Sequence, residues 1–193
     1  MQYLIIYSHS NPDSFTSAVS RAIEETLVSR SIAVDRLDLY AEKFDPVLLV
    51  DSAHRRRDLH LDSTTAGYRE RIQRADHLIF VYPVWWHGMP AILKGFVDRV
   101  IASEFVYSFK KKSKRSLFPE GLMPHKKVTC FYTLDAPFLV ALLDPGWLAI
   151  KYGLFRYCGF RHVRRFFRSG LKHTTQEERE QWLAQCRRIA SRL

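Results

Sequence analysis

"HLIFVYPVWWHGMPAILKGFVDRV", His77–Val100, decides how this chain folds. It opens on a continuous apolar run, His77–Val84, the pattern of a strand buried on both faces of a parallel sheet. It closes, from Pro90, on Ile92, Leu93, Phe96, Val97, Val100 and Ile101 at helical spacing. Pro90 suits the first turn, where a backbone N–H has no intrahelical partner. Between the two, Trp85–Trp86–His87–Gly88 falls where a loop must be. Two tryptophans there either fill the core between strand and helix or offer flat walls to a planar aromatic ligand. Gly88 would let the backbone turn freely or approach a ligand. Sequence neighbours point in different directions, so at most one of the two rings is expected fully in the core.

The same alternation extends both ways. Tyr3–Ser8 is a short apolar strand, followed by the loop "HSNPDS" and a helix over 14–29 with Phe15, Ala18, Val19, Ala22, Ile23 and Leu27 on one face. Ile32–Tyr40 is a more polar strand, expected nearer a sheet edge. A long connection with "HRRRD" leads to a short helix around Thr65–Ala75. Beyond the opening stretch, Ser108–His125 reads as basic and irregular, Lys127–Leu134 as a buried strand, and Arg161–Phe167 as the last strand. Ala136–Tyr157 is apolar but broken by "DPG" at Asp144–Gly146. The final helix opens on a capping box, Thr175 with Glu178, and carries Trp182, Leu183, Cys186, Ile189 and Ala190 on its apolar face. Five strands alternating with helices predict a doubly wound α/β fold in a single domain, 1–193, with strand order 2-1-3-4-5.

Composition narrows the function. The 193 residues are 47% hydrophobic and 26% charged, ordinary for a folded chain. No apolar run reaches the roughly 20 residues of a membrane span. The start, "MQYLIIYSHS", reads as a strand and not as a signal peptide. Cys130, Cys158 and Cys186 are odd in number and widely spaced, which fits packing residues in a reducing cytoplasm and gives neither a disulfide framework nor a metal site. Charge is uneven: residues 1–109 carry net −2 and 110–193 carry +12, densest at "KKKSKR", Lys110–Arg115. That run reads as a solvated loop, and the absence of zinc-finger spacing or an RNP-type aromatic pattern argues against nucleic acid.

In a sheet of this order, ligands bind beyond the carboxyl ends of the strands, at the switch point. Three loops lie there. "SHSNPDSFTSA" ends at a helix N-terminus whose free N–H groups and dipole suit a phosphate, with His9, Ser10, Ser14 and Thr16 as added donors; the bland alternative is a turn capped by Asp13 or Ser14. It lacks both the P-loop and the G-x-G-x-x-G patterns. Trp85–Gly88 is the second. "TLDAPF", Thr133–Phe138, is the third and diagnostic of nothing by itself.

These residues carry a resemblance. "FVYPVWWHGMPAILKGFVDRV" resembles the flavin-loop signature of the flavodoxin-like NAD(P)H:quinone oxidoreductases, the DT-diaphorase group, with "PAILKG" its most specific element. "LIIYSHSNPDSFTSA", "LYAEKFDPVL", "EFVYSF" and "YCGFRHV" match further family segments in order, so the resemblance spans almost the whole chain. It implies a flavodoxin-like fold, bound FMN or FAD, NAD(P)H as hydride donor, a quinone or similar aromatic acceptor, and a homodimer with the active site at the interface. Carried over by position, His9, Ser14, Phe15 and Thr16 would meet the flavin phosphate or ribityl chain. Pro83, Val84, Trp85, Trp86, His87 and Gly88 would wrap the ring, and Thr133, Leu134 and Asp135 would face its edges. Trp86, Tyr107 and Phe109 would close the substrate pocket; His87 and Tyr107 are the catalytic candidates.

The match departs from the mammalian-type pattern after the fourth strand, where "TLDAPFLVALLD" stands in place of T-T-G-G with its relay Tyr and His. No relay pair is therefore carried over. The short chain lacks the extension that holds the adenine half of FAD, which favours FMN. The group also contains ancillary subunits of potassium-efflux systems, so a regulatory flavoprotein docked on a transporter or membrane surface is the alternative; a flavodoxin-like electron carrier is a weaker one, since such carriers are acidic.

Overall fold

The computed structural model describes residues 1–52, 55–109 and 118–193. The basic run Lys110–Arg115 lies outside them. In chain order the elements are β1 (Gln2–Tyr7), α1 (Phe15–Ser29), β2 (Ala33–Asp38), α2 (Ala66–Arg74), β3 (His77–Pro83), α3 (Ala91–Val100), β4 (Tyr107–Ser108), β5 (Glu120–Gly121), β6 (Lys127–Thr133), α4 (Phe138–Leu142), α5 (Pro145–Leu148), β7 (His162–Arg168) and α6 (Gln176–Ala190). A π-helical stretch, Ala149–Arg156, continues α5, and 3-10 turns fill 56–65 and 171–173.

The main sheet runs β2-β1-β3-β6-β7, all parallel. Leaving aside the antiparallel pair β4–β5, this is the expected 2-1-3-4-5 order. β3 is buried along its whole length, as its unbroken apolar run requires. Beside β1, β2 is the edge strand, and its alternation is correspondingly polar. One face of the sheet packs Leu4, Ile6, Leu78, Phe80 and Tyr82 against α3, where Leu93, Phe96 and Val100 are fully buried. The other packs Ile5, Ile79 and Phe131 against α1 and α6 through Val19, Ile23, Leu27, Trp182 and Cys186. The capping box forms as its residues predict: the Thr175 hydroxyl accepts from Glu178 N–H at 3.2 Å, and Glu178 accepts from Thr175 N–H at 2.9 Å. Lys126 is buried at the C-terminus of α2, where Nζ donates to the carbonyls of Gln73 and Ala75. A cation there satisfies carbonyls the helix leaves open.

Two expectations change. The segment 108–125 is not wholly irregular, because Tyr107–Ser108 pairs with Glu120–Gly121. The helical stretch Phe138–Arg156 is long and apolar enough, by composition, to cross a membrane, although 22% of its most apolar window is buried. Its apolar run is interrupted at Asp144, where the helical path breaks too: α4 ends at Leu142, and Asp144 caps α5. Ala141, Trp147 and Phe155 anchor it to the sheet, while Phe138, Leu139, Leu142, Leu143, Leu148 and Tyr152 remain exposed. All three cysteines are buried and reduced, and burial pushes the thiols of Cys158 and Cys186 up to about 12. That inertness fits packing roles.

Candidate functional site

The carboxyl ends of β1, β3 and β6 converge as the sheet order requires. Ser8 N–H donates to Val81 O at 3.0 Å and Val84 N–H to Thr133 O at 2.8 Å, so the three loops leave the sheet side by side. Thr16, in the first turn of α1, meets Thr133 at the end of β6 hydroxyl to hydroxyl at 2.9 Å, with both residues buried. This pair pins the start of α1 over the sheet edge.

The first loop is organised by its own polar side chains. Asn11 N–H donates to His9 Nδ1 at 2.9 Å, and Asp13 N–H donates to Asn11 Oδ1 at 2.9 Å. Burial holds His9 below its ordinary pKa, and a ring nitrogen that accepts an N–H must be unprotonated. His9 is therefore neutral near pH 7 and offers Nε2–H as a donor. Ser14 is the N-cap, accepting from Ser17 N–H at 3.1 Å. Its cap leaves the Phe15 and Thr16 N–H groups without intrahelical acceptors. Two free donors, the helix dipole and a neutral His make a surface for a phosphate group.

The second loop is a two-residue turn. Trp85 N–H donates to Gly88 O at 3.1 Å and Gly88 N–H to Trp85 O at 2.9 Å. Trp86 and His87 occupy the central positions with φ of 50° and 58°. Left-handed backbone at both central positions is the type I′ pattern, which favours Asn and Gly. The strain therefore falls on a tryptophan and a histidine, at roughly 1–2 kcal/mol per residue, and not on Gly88. A Cβ on Gly88 would meet its nearest atom at 3.6 Å, an ordinary contact, so steric freedom is not what this glycine supplies. Neither tryptophan is in the core: Trp85 is 45% exposed and Trp86 is 100% exposed. The Trp85 ring lies edge-on to His9, centroids 6.1 Å apart, which joins the first two loops. The turn uses Gly88 N–H internally and leaves the Trp86 and His87 N–H groups outside its hydrogen bonds.

The turn is clamped from a direction the sequence did not advertise. His87 Nδ1 lies 3.2 Å from Asp144 Oδ1, and the same oxygen accepts Gly146 N–H at 3.0 Å. Asp144 is buried and caps α5. The His87 carbonyl packs so closely on Gly146 that a Cβ there would sit 1.5 Å from it. Asp144 and Gly146 are thus positioning residues. Their signal was the Asp-Pro-Gly break, an N-cap with Pro in the first turn, but nothing in sequence linked it to a turn 57 residues away.

The third loop contributes less than expected. Leu134 is buried, its N–H donating to Arg168 O at 3.0 Å. Asp135 accepts Lys172 N–H at 2.9 Å and pairs with Lys172 Nζ at 3.3 Å, so its carboxylate is committed to the loop after β7. Tyr107 and Phe109 are not brought to this edge within one chain. They follow the far end of α3, about 15 Å of helix away, where Tyr107 packs edge-on against Phe109 at 5.7 Å and Tyr157 at 5.8 Å. Among the described residues no group of three His, Cys, Asp or Glu could hold a metal.

A family profile described as "Flavodoxin-like fold" matches residues 1–192. The chain belongs to this flavodoxin-like family. A Haemophilus influenzae protein named as an uncharacterized NAD(P)H oxidoreductase is 32% identical over 168 residues, covering 84% of this chain and 81% of that one. NAD(P)H dehydrogenase [quinone] 1 of Cavia porcellus is 28% identical over 94% of this chain and 73% of its own length. Among solved structures, the Streptococcus mutans protein Smu.1420 superposes with a TM-score of 0.92 at 35% identity, each chain covered completely. The donor set at the sheet edge fits a flavin in this family: free N–H groups at α1 for an anionic end, and exposed indoles with unused N–H groups for a flat polar-edged ring.

Proposed function

We propose that this chain is a flavin-dependent NAD(P)H oxidoreductase that passes two electrons to a quinone or a similar small aromatic acceptor. The observation that carries the reading is the strained Trp85–Gly88 turn, which holds Trp86 entirely in solvent at the sheet's switch point. A fold that spends stability to expose an indole is building a surface for a flat ligand. The oxidoreductase names of the relatives support an enzyme over an ancillary transporter subunit.

When bound, a flavin supplies hydride chemistry that side chains lack. The protein's part is placement. The Phe15 and Thr16 N–H groups, with Ser14 and His9, hold the phosphate. Trp85 and Trp86 flank the ring, and the Trp86 and His87 N–H groups meet its polar edge. Thr16, Thr133 and Leu134 act beneath the ligand, as the buried floor that fixes loop spacing. His87, tethered to Asp144, remains the candidate donor beside the ring.

FMN suits the site better than FAD, since no described element extends beyond the loops to hold an adenosine. A homodimer completes it. The exposed apolar side chains of 138–152 need cover, and Tyr107 with Phe109 can close the pocket from a second copy. A single flavin-binding unit in a reducing cytoplasm is consistent with three buried thiols. Purified protein should be yellow, and NAD(P)H oxidation should depend on added quinone. A protein that takes up neither FMN nor FAD would sink this reading.

A further inference from the structure

The opposite edge of the sheet holds a second concavity. It lies where β3, β6 and β7 begin, about 20 Å along the strands from the loops above. Its volume is ≈160 Å³, with His77 and Thr129 on the floor and Lys127, His162, Arg164 and Arg192 around them. Strand register builds it. His77, Lys127 and His162 sit abreast on β3, β6 and β7, and Thr129 sits abreast of Arg164. Because side chains alternate along a strand, all five point to the same face. That face is covered by α6, and the turn that follows the helix delivers Arg192.

The three cations here are exposed to solvent, and Leu193, the last residue, lines the cavity beside them. The Lys127, Arg164 and Arg192 side chains form no ion pair or hydrogen bond with a described residue. On the floor, His77 is 3% exposed; its Nε2 lies 2.8 Å from Thr129 Oγ1, while Nδ1 has no partner. From β1, Tyr3 packs on the His77 ring at 4.9 Å, and Asp76, the nearest acid in sequence, is committed to Gln2 N–H at 2.8 Å. Three unpaired cations around one cavity repel each other, and a buried ring nitrogen without a partner is uncommon in native folds. A dianion among the cations would answer their repulsion, with the buried His77 ring beneath it. The cavity has room for several waters, and so for a tetrahedral oxyanion.

We propose that this cavity binds a tetrahedral oxyanion, as free sulfate or phosphate or as the terminal group of a small phosphate ester, held by Lys127, Arg164 and Arg192 above His77. The inference does not depend on the redox reading, because the two sites share no residue.

Sulfate is the sharpest probe, since it stays a dianion from pH 5 to 8. Titrating sodium sulfate into the intact protein at pH 6.5, against sodium chloride at matched ionic strength, should shift the His77 ring resonances saturably with sulfate alone. Arg164→Gln and Lys127→Gln should each weaken binding roughly three- to tenfold. Lys43→Gln, a surface cation at the other edge, should leave it unchanged. Inorganic phosphate should compete with sulfate. Shifts that track ionic strength equally for chloride and sulfate would overturn the proposal, as would equal losses in all three variants. Binding to phosphatidic-acid vesicles without any binding of free sulfate would also overturn it, because the site would then require a membrane surface.

Discussion

Gly146 tests the site most directly, because it touches no ligand in the proposal yet sets the turn that does. A Cβ at Gly146 would lie 1.5 Å from the His87 carbonyl oxygen and 2.6 Å from its carbon. Both are backbone atoms, so no rotamer change relieves the clash. In Gly146→Ala the turn must retreat by about 2 Å to reach ordinary contact, or α5 must tilt away and stretch the Asp144 tether. Overpacking of this kind costs about 1–3 kcal/mol. The functional effect should be larger than the stability effect, since a displacement near 1 Å can cost about 100-fold in a positioned reaction. We expect Gly146→Ala to remain folded, to bind flavin at least tenfold more weakly by fluorescence titration, and to lose about 100-fold in quinone-dependent NAD(P)H oxidation. Gly153→Ala is the internal control: nothing lies within 4 Å of its Cβ position, so activity should be unchanged. Gly146→Ala protein with flavin affinity and turnover within twofold of the parent would refute the clamp, and with it the positioning role given to Asp144.

Other outcomes follow from the same geometry. Trp86→Gly removes a fully exposed ring from a left-handed position, so its melting temperature should match or exceed the parent's while flavin affinity falls tenfold or more; a stability loss above about 1 kcal/mol would contradict the assigned strain. Thr133→Val deletes the buried hydroxyl pair with Thr16 at nearly constant shape, and should cost about 1 kcal/mol in urea unfolding. Arg71 joins α2 to β2 by donating to Asp35 at 2.6 and 2.9 Å and to Glu42 at 2.7 Å; Arg71→Ala should destabilise by about 1–3 kcal/mol without altering flavin affinity. His77 carries a pH signature. Burial, reinforced by Lys127 and Arg164, lowers its pKa to about 4 from an ordinary 6.5, so between these values the unfolded chain binds the extra proton. Stability should therefore fall as pH drops from about 6.5 towards 4, by up to about 3 kcal/mol. His77→Gln should flatten that part of the denaturation-midpoint profile measured in low-salt buffer.

Much of this was legible in the residues. Continuous apolar runs at Tyr3–Ser8, His77–Val84 and Lys127–Leu134 specify strands buried on both faces, and such strands imply a parallel sheet with its ligands at the carboxyl edge. The Pro90 start, the apolar face of α3 and the Thr175 capping box are local matters of spacing and backbone donors, so sequence determines them. Tertiary structure decided what local chemistry cannot reach. Gly88 looked like the flexible residue of the turn, but the left-handed backbone falls on Trp86 and His87, because turn register depends on where β3 stops pairing with β6. Asp135 looked free to face a ligand, but the loop after β7 claims its carboxylate. Asp144 and Gly146 meet His87 across 57 or more residues, and Lys127, Arg164 and Arg192 gather at one cavity only because β6, β7 and the end of α6 share a sheet face. Pattern along a chain encodes which side of an element is buried; which distant groups then share one hydrogen bond or one field is fixed only by how the elements pack.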